Sequence, residues 1–456
     1  MTSKGFLYFI CAVSAMGGLL FGYDWVVIGG AKPFYEQYFG IAQSPVMQGV
    51  AMTTALVGCL VGAMVAGAAA DKYGRRPLLQ MAAVLFTVSA IGTGLFNNFT
   101  LFNIARFVGG IGIGLASALA PMYIAEVSPA NIRGRMVSLN QMTIVLGILA
   151  AQLINMMLAQ DTTVAESQQW NVAWGWRWMF WAETVPAALF LTMSFFIPES
   201  PRWQVLNQQT DKARKTFARM GGSDYADSEI NNVMQTAACH NANEQGGLGL
   251  LFSKPFVPIL VLGIVVAVFQ QWCGTNGIFN YAEEVFKSAG YNTNDMFFQI
   301  VLTGIVNVVF TIVALYAVER LGRRSLMLIG ACGLFMIYTA LGACYFFNAP
   351  GVCVVVLVLM AIACYAMSLA PVTWVLLAEI FPNRVRGIAM AVCTFALWAG
   401  CCTFTFSFPL LHDTLHAHGQ FWLYAVICLS GFIYFLRRCP ETKGKSLEEL
   451  EREVKN

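Results

Sequence analysis

Twelve apolar stretches, each about 20 to 28 residues long and each closed by charges or turn residues, recur along this 456-residue chain. They begin near Phe6, Val46, Pro77, Thr100, Met136, Arg177, Phe256, Met296, Ser325, Val352, Gly387 and Gly419. A hydrocarbon core takes a helix of about 20 apolar residues, so each stretch is expected to cross a bilayer once. Only 11% of residues are charged and 58% are apolar, against about 25% charged in soluble domains. The mean hydropathy of +0.64 would leave more apolar surface than one core could bury, so lipid must be the solvent. Collagen, disordered and disulfide-scaffold classes are excluded. Cys59, Cys273, Cys332, Cys364, Cys393, Cys401 and Cys428 lie inside apolar runs and read as small packing residues. The net charge of +3 is spread over short connections, which argues against a nucleic-acid partner. The stretch from Lys4 through Ile28 has no small-residue cleavage site and reads as a retained first span.

An even number of crossings puts both ends on one side. With that side taken as cytoplasmic, the inner segments hold every Lys and Arg except Lys32, Arg106, Arg177 and Lys287. Positive charge is retained on the cytoplasmic face, so both termini are expected there. The long polar segment 198–254 divides the chain into a six-helix bundle over 1–197 and a second over 255–436, with a cytoplasmic tail at 437–456. Within that segment Thr210 to Met220 reads as helical, followed by a looser region rich in Gly, Asn and Ser.

The halves echo each other. Asp71-Lys72-Tyr73-Gly74-Arg75-Arg76 recurs 248 residues later as Glu319-Arg320-Leu321-Gly322-Arg323-Arg324. Glu126 followed by Arg133-Gly134 recurs 253 residues on as Glu379 followed by Arg386-Gly387, and Pro198-Glu199 recurs at 242 as Pro440-Glu441. Three echoes in one order at nearly constant offset indicate a duplicated six-helix unit, with a ligand site expected near the midplane between the copies.

These motifs, with Phe21-Gly22-Tyr23-Asp24, Pro198-Glu199-Ser200-Pro201-Arg202, Gln270-Gln271 with Asn276, and Pro440-Glu441-Thr442-Lys443-Gly444-Lys445, resemble the sugar porter family of the major facilitator superfamily, including its bacterial proton-xylose symporters and glucose facilitators. The resemblance covers nearly the whole chain. It implies an all-α membrane protein of twelve transmembrane helices in two pseudo-symmetric six-helix bundles that rock about a central sugar site, with a small cytoplasmic helical segment between them.

Asp24, Arg106 and Glu183 stand inside apolar spans, where an ionisable group costs about 2.5 to 3.5 kcal/mol and so needs a partner or a task. Counted along alternating spans, all three fall six or seven residues from the outer end, a depth of roughly 10 Å. Arg106 keeps its charge, so a neighbouring carboxylate is held ionised and takes up a proton when the two are drawn apart. That would couple solute movement to proton movement, with Glu183 adjusting the local charge balance; the alternative is a static pair that fixes helix packing. In the resembling family an acid at the Asp24 position and an arginine at the Arg106 position accompany proton-linked members. Asp71, Arg75, Arg76, Glu126, Arg133, Glu199, Glu319, Arg323, Arg324, Glu379 and Arg386 are either topology signals on solvated loops or an ion-pair network that closes an inner gate.

A sugar needs uncharged donors and acceptors for its hydroxyls and a flat apolar surface for its C–H face. Span seven supplies Gln270, Gln271, Asn276 and Asn280, with Gly274 and Gly277 available to break the helix and turn polar groups inward. Single amides also serve as interhelical glue, and single tryptophans as interfacial anchors. The resemblance places Gln141, Gln270, Gln271, Asn276, Asn307 and Trp374 at family sugar-contact positions, with Phe21 and Trp398 as wall residues. The chain departs from the family pattern at Asn280, where many members have tyrosine, at Ile148, where the xylose symporters have glutamine and the glucose facilitators isoleucine, at Ala370, where glycine is usual, and at Leu397, where a polar residue is common.

His412, His416 and His418 cluster on an outer connection, where a solvated loop is favoured over metal capture, and no enzyme chemistry, metal or cofactor is called for. The sequence therefore points to a proton-coupled importer of a monosaccharide, an aldopentose such as xylose or an aldohexose such as glucose, acting as a monomer in a bacterial inner membrane. A proton-independent facilitator is the first alternative. A membrane sugar sensor is the second, and it lacks the long signalling tail expected of one.

Overall fold

A computed structural model describes residues 3–129, 132–241, 251–253, 256–349, 351–381 and 385–442, apart from the side chains at 3–4, 236–241, 319 and 386. The Glu319 and Arg386 side chains, and Lys443, Gly444 and Lys445 of the last motif, thus lie outside the described residues. Among the described residues the regular elements are helices, and ten of these are long and apolar enough to cross a membrane. Spans one to five are single helices: Ser3–Phe39, Pro45–Tyr73, Arg75–Leu95, Phe99–Val127 and Arg133–Leu158. Spans eight and nine are Thr293–Leu321 and Arg323–Phe346.

The remaining spans are interrupted, each for a local reason. Span six is built from Trp176–Trp181 and Thr184–Ser194. Pro186 lacks an N–H and its ring crowds the carbonyl four residues back, so the helix breaks at Ala182 and Glu183. Span seven breaks at Gly274, between Val257–Trp272 and Thr275–Asn280. Gly274 is left-handed at φ +95, and a Cβ there would lie 3.0 Å from the Tyr424 ring. Span ten divides at Ser368 into Gly351–Met367 and Leu369–Ile380. Spans eleven and twelve form the continuous stretch Arg386–Arg438, kinked where His416 leaves helical geometry at φ 55. The described helices thus accommodate twelve crossings, two of them sharing one of the ten long helices.

Two compact units can be distinguished. The first comprises Met1–Trp25, Val57–Ile148 and Phe180–Gln245, and the second Val26–Leu56, Leu149–Met179 and Gly246–Asn456. Their boundaries fall inside spans one, two, five and six, and do not follow the six-plus-six division of the sequence. In the first unit, spans two and four approach so closely that a Cβ on Gly58, Gly62 or Gly114 would collide with the facing backbone carbonyls of Phe107, Ile111 and Cys59. Small residues at such faces let van der Waals packing and backbone contact hold helices together in lipid. In the second unit, span nine packs along the Arg386–Arg438 stretch.

The linker helix expected from Thr210 to Met220 is present as Thr210–Gly221. The region after it, read from composition as loose, forms a helix over Ser223–Asn241. Ala226, Ile230 and Val233 fall at spacings of four and three and are buried, as are Phe217 and Met220 of the preceding helix. Apolar periodicity prevails here over a polar average.

The two Gly-Arg-Arg turns depend on glycines that no side chain can replace. Gly74 has φ 93 and ψ 174, and Gly322 has φ 86 and ψ 160, a backbone region that costs other residues about 1 to 3 kcal/mol. A Cβ on Gly74 would also run into the Glu199 carboxylate, and one on Gly322 would lie 2.7 Å from Glu441 Oε2. Gly74→Ala and Gly322→Ala are each expected to lower the melting temperature measured in detergent. Gly67→Ala, in open space on the Pro45–Tyr73 helix, should leave it unchanged or raise it.

Candidate functional site

In the first unit Asp24 of span one and Arg106 of span four are 1% and 2% exposed and form an ion pair between Arg106 Nη1 and Asp24 Oδ1. Arg106 Nη2 also donates to the Asp24 backbone carbonyl at 3.3 Å. The guanidinium lies over the Phe180 ring, its Cζ 5.4 Å from the centroid. Asp24 Oδ2 accepts no hydrogen bond from a described residue. That oxygen faces Gly109, whose added Cβ would come within 3.3 Å of it and collide with Ser89 Oγ. Glu183 is equally buried, interacts electrostatically with Asp24 and Arg106, and leaves Oε1 without a hydrogen-bond partner among the described residues. The three intramembrane charges therefore form one cluster, held by the helix break that Pro186 sets beside Glu183.

The echoed motifs adopt the same geometry in each unit. In the first, Glu199 accepts the backbone N–H of Arg75 at 2.8 Å, of Arg76 at 3.2 Å and of Ser200 at 2.7 Å. The first two are orphan amides at the start of span three, where the helix dipole favours a negative charge. Burial nevertheless lifts the Glu199 carboxyl above its ordinary value, against the pull of those three donors. Arg75 reaches Glu126 Oε1 through Nη2 at 2.9 Å and Nε at 3.2 Å, and Asp71 at 3.4 Å. In the second unit Glu441 accepts from the backbone N–H of Arg323 at 3.0 Å and Arg324 at 3.2 Å. Arg323 Nη2 pairs with Glu379 Oε1 at 2.8 Å, and Thr442 Oγ1 donates to Glu379 Oε2 at 2.5 Å.

The second arginine of each turn binds backbone, where ion pairs were expected. Arg76 Nη2 donates to Phe195 O and Arg324 Nη2 to Leu436 O, both at 2.8 Å. These carbonyls stand at the C-terminal ends of spans six and twelve, which attract cations. Arg133 Nε has no hydrogen-bond partner among the described residues, and Asp71 has a side chain 79% exposed. Glu441 was absent from the residues singled out as gating; its offset from Glu199, the 242 residues of the Pro-Glu echo, was the signal that could have found it.

The amide cluster of span seven lies wholly in the second unit. Gln271 Nε2 donates to Gln270 Oε1 at 2.7 Å, and Asn276 Nδ2 donates to Gln271 Oε1 at 2.5 Å across the Gly274 break. Gln270, Gln271, Asn276, Asn280 and Asn307 are all buried, as are Trp398 and Leu397, whereas Trp374 is exposed. Gln141 and Phe21 belong to the first unit and are half-buried. Gln152 and Asn155 of span five went unnoticed in the sequence. Each is buried with a side-chain oxygen that no described donor satisfies, while Gln152 Nε2 donates to Thr303 at 3.4 Å and Asn155 Nδ2 to Val27 O at 3.1 Å. Among the described residues no group of three or more His, Cys, Asp or Glu is placed to hold a metal ion. His412, His416 and His418 line a cleft, with His412 Nδ1 3.0 Å from Gln420 Oε1.

The family model described as sugar (and other) transporter matches residues 10–454. The chain belongs to that family. It is 36% identical to the arabinose-proton symporter of Bacillus subtilis over 99% of this chain and 95% of the relative. It is 35% identical to the D-xylose-proton symporter of Escherichia coli over 98% and 96% of the two chains. The glucose transport protein of a Synechocystis strain is 34% identical over 98% and 97%. Among solved structures, the xylose transporter of Escherichia coli in an inward open conformation superposes with a TM-score of 0.86 at 34% identity, covering 98% of this chain and 99% of that one. The family and these structural neighbours are sugar transporters, not enzymes.

The two Glu caps generate a prediction for this sugar transporter. Glu199→Gln or Glu441→Gln removes a charge-assisted acceptor shared by two helix-start amides, worth about 1 to 3 kcal/mol. Each should lower the melting temperature of the purified protein. Asp71→Asn, exposed and 3.4 Å from Arg75, should change stability by less than about 0.5 kcal/mol.

Proposed function

We propose that the protein is a proton-coupled monosaccharide symporter, working by alternating access on an aldopentose such as xylose or an aldohexose such as glucose. The observation that carries this reading is the buried Asp24–Arg106 pair with Glu183 beside it. Asp24 pairs with the guanidinium while Glu183 feels both charges, and each carboxylate keeps an oxygen with no described donor, so the cluster has the capacity to hold a proton. Separating the pair leaves an unpaired carboxylate in a low-dielectric setting, which favours protonation; closing it expels the proton. Movement of the helices that carry Asp24 and Arg106 then becomes movement of charge. The names of relatives described as arabinose-proton and xylose-proton symporters support the coupling, and similarity to an inward open transporter supports the working cycle.

Sugar recognition is assigned to Gln270, Gln271, Asn276, Asn280, Asn307, Trp374 and Trp398 of the second unit, and the family resemblance assigns Gln141 and Phe21 of the first unit to it as well. Uncharged amides match hydroxyls without the desolvation cost of an ion. Asn280 offers an amide where many members of the family have tyrosine, while Ile148 and Leu397 offer no hydrogen bond, so both an aldopentose and an aldohexose stay open as substrates. The Glu199, Glu126 and Arg75 set, with Glu441, Glu379 and Arg323, acts as the inner gate, Asp71, Arg76, Arg133 and Arg324 supporting it and Glu319 and Arg386 assigned to it by the sequence echo. Both termini and the linker face the cytoplasm of a bacterial inner membrane, and the protein works as a monomer of two six-helix bundles, 1–197 and 255–436, joined by 198–254 and followed by the tail 437–456.

Uptake of a panel of labelled sugars into proteoliposomes, with and without an imposed pH gradient, tests this. One pH unit, inside alkaline, should drive accumulation up to about tenfold at one proton per sugar. Asp24→Asn should reduce the internal concentration to that outside while exchange of internal for external sugar continues. Equilibration without accumulation under the imposed gradient would make the protein a facilitator, the reading that Ile148 favours.

A further inference from the structure

A second buried charge cluster lies in the second unit, at the end of span one remote from the chain's N-terminus. Lys32 has a side chain only 3% exposed and is surrounded by three carboxylates. Glu36 Oε1, one turn further along span one, is 3.0 Å from Lys32 Nζ; Glu284 Oε1 is in direct ion-pair contact; Glu283 Oε2 is 3.9 Å away. The ammonium also lies 5.8 Å from the centroid of the Tyr281 ring. Glu283 and Glu284 belong to the short helix Ala282–Ser288, and Lys287 of that helix reaches Glu283 Oε1 at 3.5 Å from an exposed position. Neither Glu283 Oε2 nor Glu284 Oε2 accepts a hydrogen bond from a described residue; Lys32 compensates Glu284 directly and shares Glu283 with the exposed Lys287.

The element it holds is set apart from its neighbours in the chain. Residues 275–289 lie between two glycines of left-handed sign, Gly274 at φ +95 and Gly290 at φ +88, with a further break at Tyr281, φ −125 and ψ 35. Glycines at both ends let a rigid piece turn with little strain. Its inner part carries Asn276 and Asn280 of the amide cluster. Gly29 of span one packs so near this piece that an added Cβ would lie 3.0 Å from Asn280 O.

We propose that Lys32 is a positioning residue for transport, a charge latch that holds the segment 275–289 against span one and thereby keeps the sugar amides closed from the outer side. Opening requires Lys32 to leave Glu283 and Glu284, which then regain solvent; closing buries the charges only if all partners arrive together, so the latch favours fully open and fully closed states over intermediates. The proposal rests on the alternating-access reading and on the cytoplasmic N-terminus for which side is outer. Its test needs neither sugar nor transport, so failure of an uptake assay and failure of the latch are separate results.

Hydrogen–deuterium exchange with mass spectrometry on the full-length protein in nanodiscs reads the latch directly. Lys32→Met and Glu284→Gln are each expected to raise amide exchange in peptides covering 26–39 and 275–289 by at least about tenfold, with the Glu199 region unchanged. Lys32→Arg should keep the protection, and the charge swap Lys32→Glu with Glu284→Lys should restore much of it. Wild-type protection in Lys32→Met would overturn the proposal, as would exchange that rises equally in every span. If Lys32→Met does not fold, the swap decides: it keeps both charges, and raised exchange confined to 275–289 in the swap would also overturn the latch.

Discussion

An ion placed in hydrocarbon must be matched or it will not stay there, and in this protein that rule organises the interior. Each unpaired charge in a span costs about 2.5 to 3.5 kcal/mol, and Asp24 and Arg106 offset each other across two helices at 1% and 2% exposure. The pair is stable only while spans one and four keep their spacing there. A device held together by mutual compensation is sensitive to separation, which makes it suited to reporting a helix movement as a change of charge. Packing supports it: small residues bring spans two and four into backbone contact, and the break beside Glu183 places a second buried carboxylate within electrostatic reach of the pair.

The same physics appears twice more in a softer form. Each Gly-Arg-Arg turn starts a helix whose first amides are capped by a distant glutamate, while one arginine reaches a carboxylate and the other a helix C-terminus. Glu199 and Glu441 perform this from residues that follow spans six and twelve, so each ties the start of one span to the end of another three crossings later. The geometry is matched between units down to the carbonyls of Phe195 and Leu436, which is the physical content of the sequence duplication. Family membership adds that this arrangement sits in a sugar transporter.

Much of this was legible in the sequence because bilayer solvation penalises exceptions. Apolar runs located the helices, and charges inside them identified Asp24, Arg106 and Glu183 without any structural input. Repetition exposed the Gly-Arg-Arg turns, and the glycines of span seven marked its break. Reading failed where geometry is local or long-range. The helix Ser223–Asn241 was hidden by polar composition although Ala226, Ile230 and Val233 carried its period. Arg76 and Arg324 looked like ion-pair partners because sequence gives charge and spacing but not which helix end lies within reach. Lys32 entered only as a basic residue outside the inner segments, and Glu283 and Glu284 carried no signal, since their meeting with it spans some 250 residues and no motif repeats it.

The central claim is that Asp24 carries the proton that accompanies sugar. Its most direct measurement is the pH of a lightly buffered suspension of proteoliposomes with no imposed gradient, followed on adding a transported sugar outside. The account predicts alkalinisation of the medium, about one proton removed per sugar entering, with no such signal in Asp24→Asn although sugar still equilibrates. Undiminished proton movement in Asp24→Asn would contradict it and place the coupling elsewhere.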